Sequence, residues 1–227
     1  GAGAAGRGGG RGGEEVEVEG GGGGGGRGGG RGGGGAAAGP AQEGMPSCES
    51  GYTYPEPNNH RFVWGTCYGA HVATYDELSG LRRSVSPWMH TLDHDPVGLK
   101  YRCHWSPPLA IDWFDNSVYF GCQLIFKTTN RGQSWEEFSP DLSTKDPSRI
   151  RFSGGAVGDN LGQFYGAVVS AIAPSRTQKG VVWAGTNDGK VWINRQGTKA
   201  SWVDVTKNVP MPPWGIARPI RSPHFAP

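Results

Sequence analysis

Eight acidic residues between positions 112 and 204 are candidates for the carboxylate pair that hydrolyses a glycosidic bond. That chemistry needs two carboxyl groups about 5–10 Å apart across a cleft. Most of the eight have a structural explanation, since Asp188 precedes a hairpin glycine and Asp115 opens a turn with Asn116. No pair stands out, and we predict no catalytic residue. The eight are Asp112, Asp115, Glu136, Glu137, Asp141, Asp159, Asp188 and Asp204.

A second group of polar residues could bind a metal ion. His90, Asp93, His94 and Asp95 crowd one segment, and His104 is the only further histidine within sequence reach. A tetrahedral site needs three or four well-placed ligands. A solvated loop with an Asp-Pro turn explains the same residues, and we predict neither a metal nor a cofactor.

Aromatic residues beside Pro and Gly form the third group. Rings there could stack on a sugar face or grip a peptide, although tryptophan in β-sheets is more often core. An arginine nearby could bind a carboxylate, with surface ion pairing as the alternative. The sequence predicts binding of a protein, peptide or glycan through Arg102, Trp105, Tyr165 and Trp214.

The elements that must position these groups repeat along the chain. Val63–Gly69 reappears as Val182–Gly189, and a third copy begins at Val118. Each copy reads as a strand, a turn containing glycine and a second strand, and Ala167–Val205 holds four short strands in succession. Four antiparallel strands make one propeller blade. The sequence predicts an all-β fold, a partial β-propeller of about three four-stranded blades, with Leu78–Lys100 as a loop.

Composition divides the chain into two parts. Residues 1–44 are rich in Gly and Arg and have little apolar surface to bury, so we expect a disordered tail. Residues 45–227 form the propeller part. The tail resembles RNA-binding Gly-Arg segments but lacks aromatic residues, so nucleic acid is not an expected partner. The net charge is +2, and no apolar run reaches the roughly 20 residues that span a membrane.

Four cysteines are spread along the propeller part without a Cys-x-x-Cys pair. They are Cys48, Cys67, Cys103 and Cys122. The spacing excludes zinc-ribbon and thioredoxin-type sites. We expect Cys67 and Cys122 to be buried free thiols rather than disulfides.

One turn matches the Asp-box pattern Ser/Thr-x-Asp/Asn-x-Gly-x-x-Trp. Its defining residues are Thr128, Asn130, Gly132 and Trp135. Asn130 can accept bonds from backbone N–H groups, Gly132 permits a positive φ, and Trp135 can pack over the hairpin. A second copy, Asn194–Trp202, is one residue longer and has Gln196 where Asp or Asn is expected, which puts its hydrogen bonding in doubt.

Together these segments resemble the bacterial sortilin-like proteins with Asp-box (BNR) repeats, often labelled glycosyl hydrolases. The resemblance covers Pro57–Pro227 and rests on four segments: Leu99–Trp105, Val118–Gly121, Thr128–Ser143 and Gly180–Gly189. It implies a propeller that is usually secreted or periplasmic, although no signal peptide is present. Asp boxes are structural turns away from the ligand face in sialidases, xyloglucan hydrolases and sortilin-type receptors alike.

The function expected from these observations is non-covalent binding on the loop face. The alternative is a glycoside hydrolase whose carboxylates lie partly outside this chain. The chain begins at Gly1 and stops where a further strand is expected to follow, so the remaining blades of a longer parent protein are expected partners.

Overall fold

In a computed structural model of the chain, the described residues of the propeller part form three antiparallel four-stranded sheets. The structure describes residues 46–48, 51–68, 70–88, 96–148, 150, 167–210, 212 and 215–217. In each sheet the strands lie side by side in chain order, as in a propeller blade. The described chain is therefore a partial β-propeller of three blades, which confirms the predicted fold.

The strand bounds define the blades. Blade 1 comprises β1 (Thr53–Glu56), β2 (Asn59–Cys67), β3 (His71–Asp76) and β4 (Leu81–Ser84). Blade 2 comprises β5 (Leu109–Ile111), β6 (Val118–Gly121), β7 (Ile125–Thr128) and β8 (Glu136–Glu137). Blade 3 comprises β9 (Val169–Pro174), β10 (Val182–Thr186), β11 (Val191–Asn194) and β12 (Trp202–Asp204).

The buried apolar residues of the described chain form two layers, one on each side of blade 2. Successive side chains of a strand point to opposite faces of the sheet. Val118 and Phe120 of β6 accordingly enter the layer shared with blade 1, whereas Tyr119 enters the layer shared with blade 3. Every residue of β6 is buried for this reason, which explains its continuous apolar sequence.

Antiparallel pairing sorts the connections onto two opposite ends of the blades. The turn after the second strand of each blade and the segments between blades share one end, which we call the connecting face. Its described residues are 68, 70, 85–88, 96–108, 122–124, 138–148, 150, 167–168 and 187–190. The turns after the first and third strands share the other end, the turn face, with residues 57–58, 77–80, 112–117, 129–135, 175–181 and 195–201.

Two features of blade 1 correct the sequence analysis. The predicted loop Leu78–Lys100 contains a strand, β4, which pairs with β3 through Thr74 and Arg83. All four residues of β4 are exposed and Leu81 is its single apolar residue, so β4 lacks the apolar pattern by which the other strands are recognised. β1 was also not predicted, because Pro55 and Pro57 are residues typical of a loop.

The cysteine prediction was wrong, because all four cysteines are in disulfides. Cys48 is bonded to Cys67 and Cys103 to Cys122, each pair 19 residues apart in sequence. Both disulfides tie the segment before a blade's first strand to the end of its second strand. Blade 3 has hydrogen bonds instead: Asn187 Oδ1 accepts from the Val168 backbone N, and the Asn187 backbone N donates to the Val168 carbonyl, both at 3.0 Å.

No helix within the described ranges is long and apolar enough to cross a membrane. Three short 3₁₀ turns, at Pro96–Gly98, Lys199–Ser201 and Thr206–Asn208, are the helical elements of that part of the chain. The predicted tail, residues 1–44, lies outside the described residues.

Candidate functional site

The Thr128–Trp135 turn on the turn face is closed by side-chain hydrogen bonds. Thr128 Oγ1 accepts from the Gly132 backbone N at 3.0 Å, and Asn130 Oδ1 accepts from the Ser134 backbone N at 3.0 Å. The φ angle of Gly132 is +75°, and a Cβ there would lie 2.6 Å from Cβ of Val85. The position therefore requires glycine for both conformation and space.

Trp135 fastens this turn to the neighbouring blade. Its Nε1 donates to the Val85 carbonyl at 2.7 Å, and its ring packs against Trp64 and Phe120. Trp202 does the same between blades 2 and 3, with Nε1 donating to the Phe138 carbonyl at 3.0 Å. Both indoles therefore join consecutive blades, and their role is structural.

Equivalent turns occur in the other two blades with different side chains. In blade 3, Asn194 Oδ1 accepts from the backbone N of Gln196 and of Gly197. Asn194 therefore closes this turn, although Gln196 stands where the Asp-box pattern has Asp or Asn. In blade 1, Asp76 Oδ1 accepts from the Leu78 backbone N at 3.0 Å. The Asp76 turn is not recognisable as an Asp box in the sequence, because no tryptophan follows it.

Asp76 also forms a two-point ion pair with Arg61. Arg61 Nε and Nη2 donate to the two carboxylate oxygens at 2.5 and 2.6 Å. The hydrogen bonds from Arg61 hold the pKa of Asp76 well below its usual range. The carboxylate is thus ionised throughout the ordinary pH range.

A stacked aromatic pair stands on the connecting face. The rings of Tyr68 and Trp105 lie 4.6 Å apart at an interplanar angle of 11°. Tyr68 is 37% exposed, and Trp105 is partly buried. Trp105 was a predicted site residue, whereas Tyr68 was missed because it lies 37 positions earlier in the sequence and meets Trp105 only when blade 1 packs beside blade 2.

A further ring adds to this face. Trp88 is 37% exposed and packs edge-on against Tyr101, with ring centroids 5.1 Å apart. The Lys100 ammonium lies 5.3 Å from the Trp88 ring centroid. The connecting face thus offers three partly exposed aromatic rings together with a cation.

Arg102, which was predicted to bind a carboxylate group of the ligand, forms its hydrogen bonds within the protein. Its Nη2 donates to Asp141 Oδ2 at 3.2 Å and to the Ala167 carbonyl at 3.3 Å. The side chain is 11% exposed. Ion pairing, the alternative use, is the one present in the structure, and ligand binding by Arg102 stays a prediction.

The candidate carboxylates are spread over both ends of the blades. Asp141 and Asp188 lie on the connecting face, where Asp188 Oδ2 accepts from the backbone N and Oγ1 of Thr144. Asp112 and Asp115 lie on the turn face, and burial raises the pKa of Asp112. Burial opposes ionisation of Asp115, but bonds from Ser117 and Lys179 prevail and lower its pKa.

Glu136, Glu137 and Asp204 belong to strands. Glu137 accepts from Lys199 Nζ at 2.9 Å and from Tyr101 Oη at 2.7 Å, which together lower its pKa. Asp204 accepts from Lys190 Nζ at 2.9 Å.

A buried carboxylate that the sequence analysis did not identify links blades 1 and 2. Glu56 is 1% exposed and accepts from Trp64 Nε1 at 3.1 Å. Arg131 Nε and Nη2 each donate to it at 2.9 Å. The Arg131 guanidinium also lies 3.8 Å from the ring centroid of Phe62. This network fully pairs Glu56 and assigns it a structural role.

Several predicted residues lie outside the described part of the chain. They are Tyr165 and Trp214 of the predicted binding site, the candidate carboxylate Asp159, and His90, Asp93, His94 and Asp95 of the metal hypothesis. Among the residues that the structure does describe, no group of three or more His, Cys, Asp or Glu could hold a metal ion.

No protein-family model matches the chain, and no curated protein matches it. Solved structures with a similar fold include U3-55K, with 11% identity and a TM-score of 0.38 over 66% of this chain. An ancestral GH74 enzyme has 15% identity and a TM-score of 0.43 over 68% of it. The WD40 repeats of RRP9 have 12% identity and a TM-score of 0.39 over 76% of it.

The chain spans 38%, 20% and 42% of the lengths of these three proteins, respectively. At such identities the likeness concerns the fold alone.

Proposed function

We propose that this chain is a non-catalytic binding module of the sortilin-like Asp-box type, which takes a protein, peptide or glycan ligand on the connecting face. The observation that carries the proposal is the Tyr68–Trp105 stack, which is partly exposed on that face. Paired rings give a rigid apolar platform with a polar hydroxyl at its edge, and such a platform suits a sugar ring or an extended peptide.

The different contacts of the aromatic rings at the two ends of the blades support this proposal. Trp135 and Trp202 join consecutive blades through hydrogen bonds to the carbonyl groups of Val85 and Phe138. The rings of the connecting face are instead partly open to solvent. The turns we interpret as Asp boxes therefore lie at the end opposite the proposed ligand, as the family resemblance implies.

Two disulfides support an extracytoplasmic location for the module. Disulfides form and persist in oxidising compartments and are rare where thiols are kept reduced. Both pairs are oxidised in the structure. Secretion or export to a periplasm fits this chemistry.

The binding proposal is tested by fluorescence titration of the full chain with xyloglucan oligosaccharides, sialyllactose and a library of extended decapeptides. We expect one probe class to bind, and Trp105→Ala and Tyr68→Ala each to weaken it at least tenfold. Trp113→Ala is the matched control, since Trp113 is 45% exposed but lies on the turn face. Unchanged binding by Trp105→Ala contradicts the proposal.

Glycoside hydrolysis is the second candidate, and the position of Asp141 and Asp188 on the connecting face is what favours it. Release of reducing sugar from xyloglucan by the full chain, lost in both Asp141→Asn and Asp188→Asn, would establish it. Asp204→Asn is the control, because its carboxylate lies on an outer strand.

A further inference from the structure

A groove between blades 1 and 2 is not used by the proposed function. It has a volume of about 480 Å³ and lies between β4 and the Arg131–Gln133 segment, with Phe62 and Thr74 among its lining residues. This volume is within the range of ligand sites, about 300–1,000 Å³. The groove opens beside the turn face, at the end opposite the Tyr68–Trp105 stack.

One wall of the groove is a strand with an unpaired edge. In the described part of the chain, β4 pairs with β3 alone. The Val85 backbone N donates to the Val72 carbonyl, so by alternation the N–H and C=O groups of Arg82 and Ser84 point away from β3. These groups form a ladder that an added strand can complete.

The groove has an excess of positive charge. Two of its arginine neighbours are neutralised, since Arg61 pairs with Asp76 and Arg131 with Glu56. Arg83 lines the groove, is exposed, and has no ion pair with any residue of the described ranges. Arg82 lies on the opposite face of the same strand by alternation and adds positive charge to the same edge.

Charge also decides which strand this edge accepts. A second copy of the chain pairing antiparallel through β4 would place arginines against arginines, which is unfavourable. An extended segment with carboxylate side chains would meet the opposite charge. We propose that the free edge of β4, beside the groove, binds an acidic peptide of a partner protein, which adds to β4 as a fifth strand and places one carboxylate in the groove against Arg83.

The probe is a fluorescein-labelled, amidated octapeptide of alternating Glu and Thr, titrated into the full chain at 0.15 M salt, where exposed charges are screened beyond about 8 Å. Arg83→Glu should weaken binding at least about tenfold. The matched control is Arg82→Glu, which makes the same charge change on the other face of β4 and should alter affinity less than about threefold.

The strand-pairing part has separate tests. Ser84→Pro removes one outward N–H from the edge of β4 and should also weaken binding about tenfold, since proline is tolerated on edge strands but cannot donate. The same octapeptide N-methylated at alternate residues tests the pairing without altering the protein, and at least one of its two methylation registers should fail to bind.

Four results would overturn the proposal: equal effects of Arg83→Glu and Arg82→Glu, equal binding of a Lys-Thr octapeptide, full binding of both N-methylated peptides, or competition by free glutarate at the peptide's own concentration. The last would identify a site for small anions instead of a strand. None of these results bears on the Tyr68–Trp105 face, so this inference and the proposed function can fail independently.

Discussion

Trp135 carries more of the stability of blades 1 and 2 than its position in a surface turn indicates. It fills the space beside Trp64 and Phe120 and donates to the Val85 carbonyl, which would lose its partner in a truncated variant. We expect Trp135→Ala to lower the free energy of unfolding by about 3 kcal/mol, the low end for tryptophan truncation because the ring is only partly buried. Urea denaturation measures this, and a midpoint equal to that of Trp113→Ala would refute it.

His71 should make the protein less stable in mild acid. Its Nδ1 is buried without a hydrogen-bond partner in the structure, and burial, aided by the charge of Arg82, lowers the pKa of the imidazole. The unfolded chain then binds a proton, near pH 6.5, before the folded one does. Stability should therefore fall as the pH drops below about 6.5 and level off below the folded pKa.

The comparison with His71→Gln isolates this contribution, since glutamine does not titrate. Between pH 8 and pH 5, the thermal midpoint of the wild-type protein should fall further than that of the variant, because only the wild-type protein has an imidazole at position 71 that takes up a proton on unfolding. Parallel profiles would mean that other groups cause the acid sensitivity.

At the scale of the element, the two disulfides should stabilise blades 1 and 2 through the same chain-entropy effect. Each closes a loop across a separation of 19 residues, for which about 3 kcal/mol is expected. The double variants Cys48→Ser with Cys67→Ser and Cys103→Ser with Cys122→Ser should each lose about that amount in denaturant unfolding. Peptide mapping without reduction should recover the two linked pairs, and free thiols in the native protein would contradict the pairing.

The sequence was informative for elements with local signals and uninformative for contacts between distant segments. β6 was predictable because burial between two blades demands a run of apolar residues, whereas β4 is exposed throughout and has a single apolar residue, Leu81. Trp105 was recognised by its own surroundings, but its partner Tyr68 belongs to another blade. Arg131 is 75 residues from Glu56, and nothing near either residue indicates their ion pair.

At the scale of the whole molecule, blade 2 should couple the three blades into one cooperative unit. Val118 and Phe120 belong to the layer shared with blade 1, while Tyr119 and Ile125 belong to the layer shared with blade 3. Loosening either layer therefore removes support from blade 2 and, through it, from the other layer. We expect a single unfolding transition, coincident in tryptophan fluorescence and far-UV circular dichroism.

Truncations on the two sides of blade 2 test this coupling. Val72→Ala removes buried methyl groups from the layer shared with blade 1, and Val182→Ala removes them from the layer shared with blade 3. Each should lower the free energy of unfolding by about 2 kcal/mol. Because the two sites lie in separate layers with blade 2 between them, their effects on a shared transition should add in the double variant. If Val182→Ala instead splits the transition, so that blade 3 unfolds while the fluorescence of Trp64 and Trp135 is unchanged, the blades are independent units and blade 2 does not transmit stability between them.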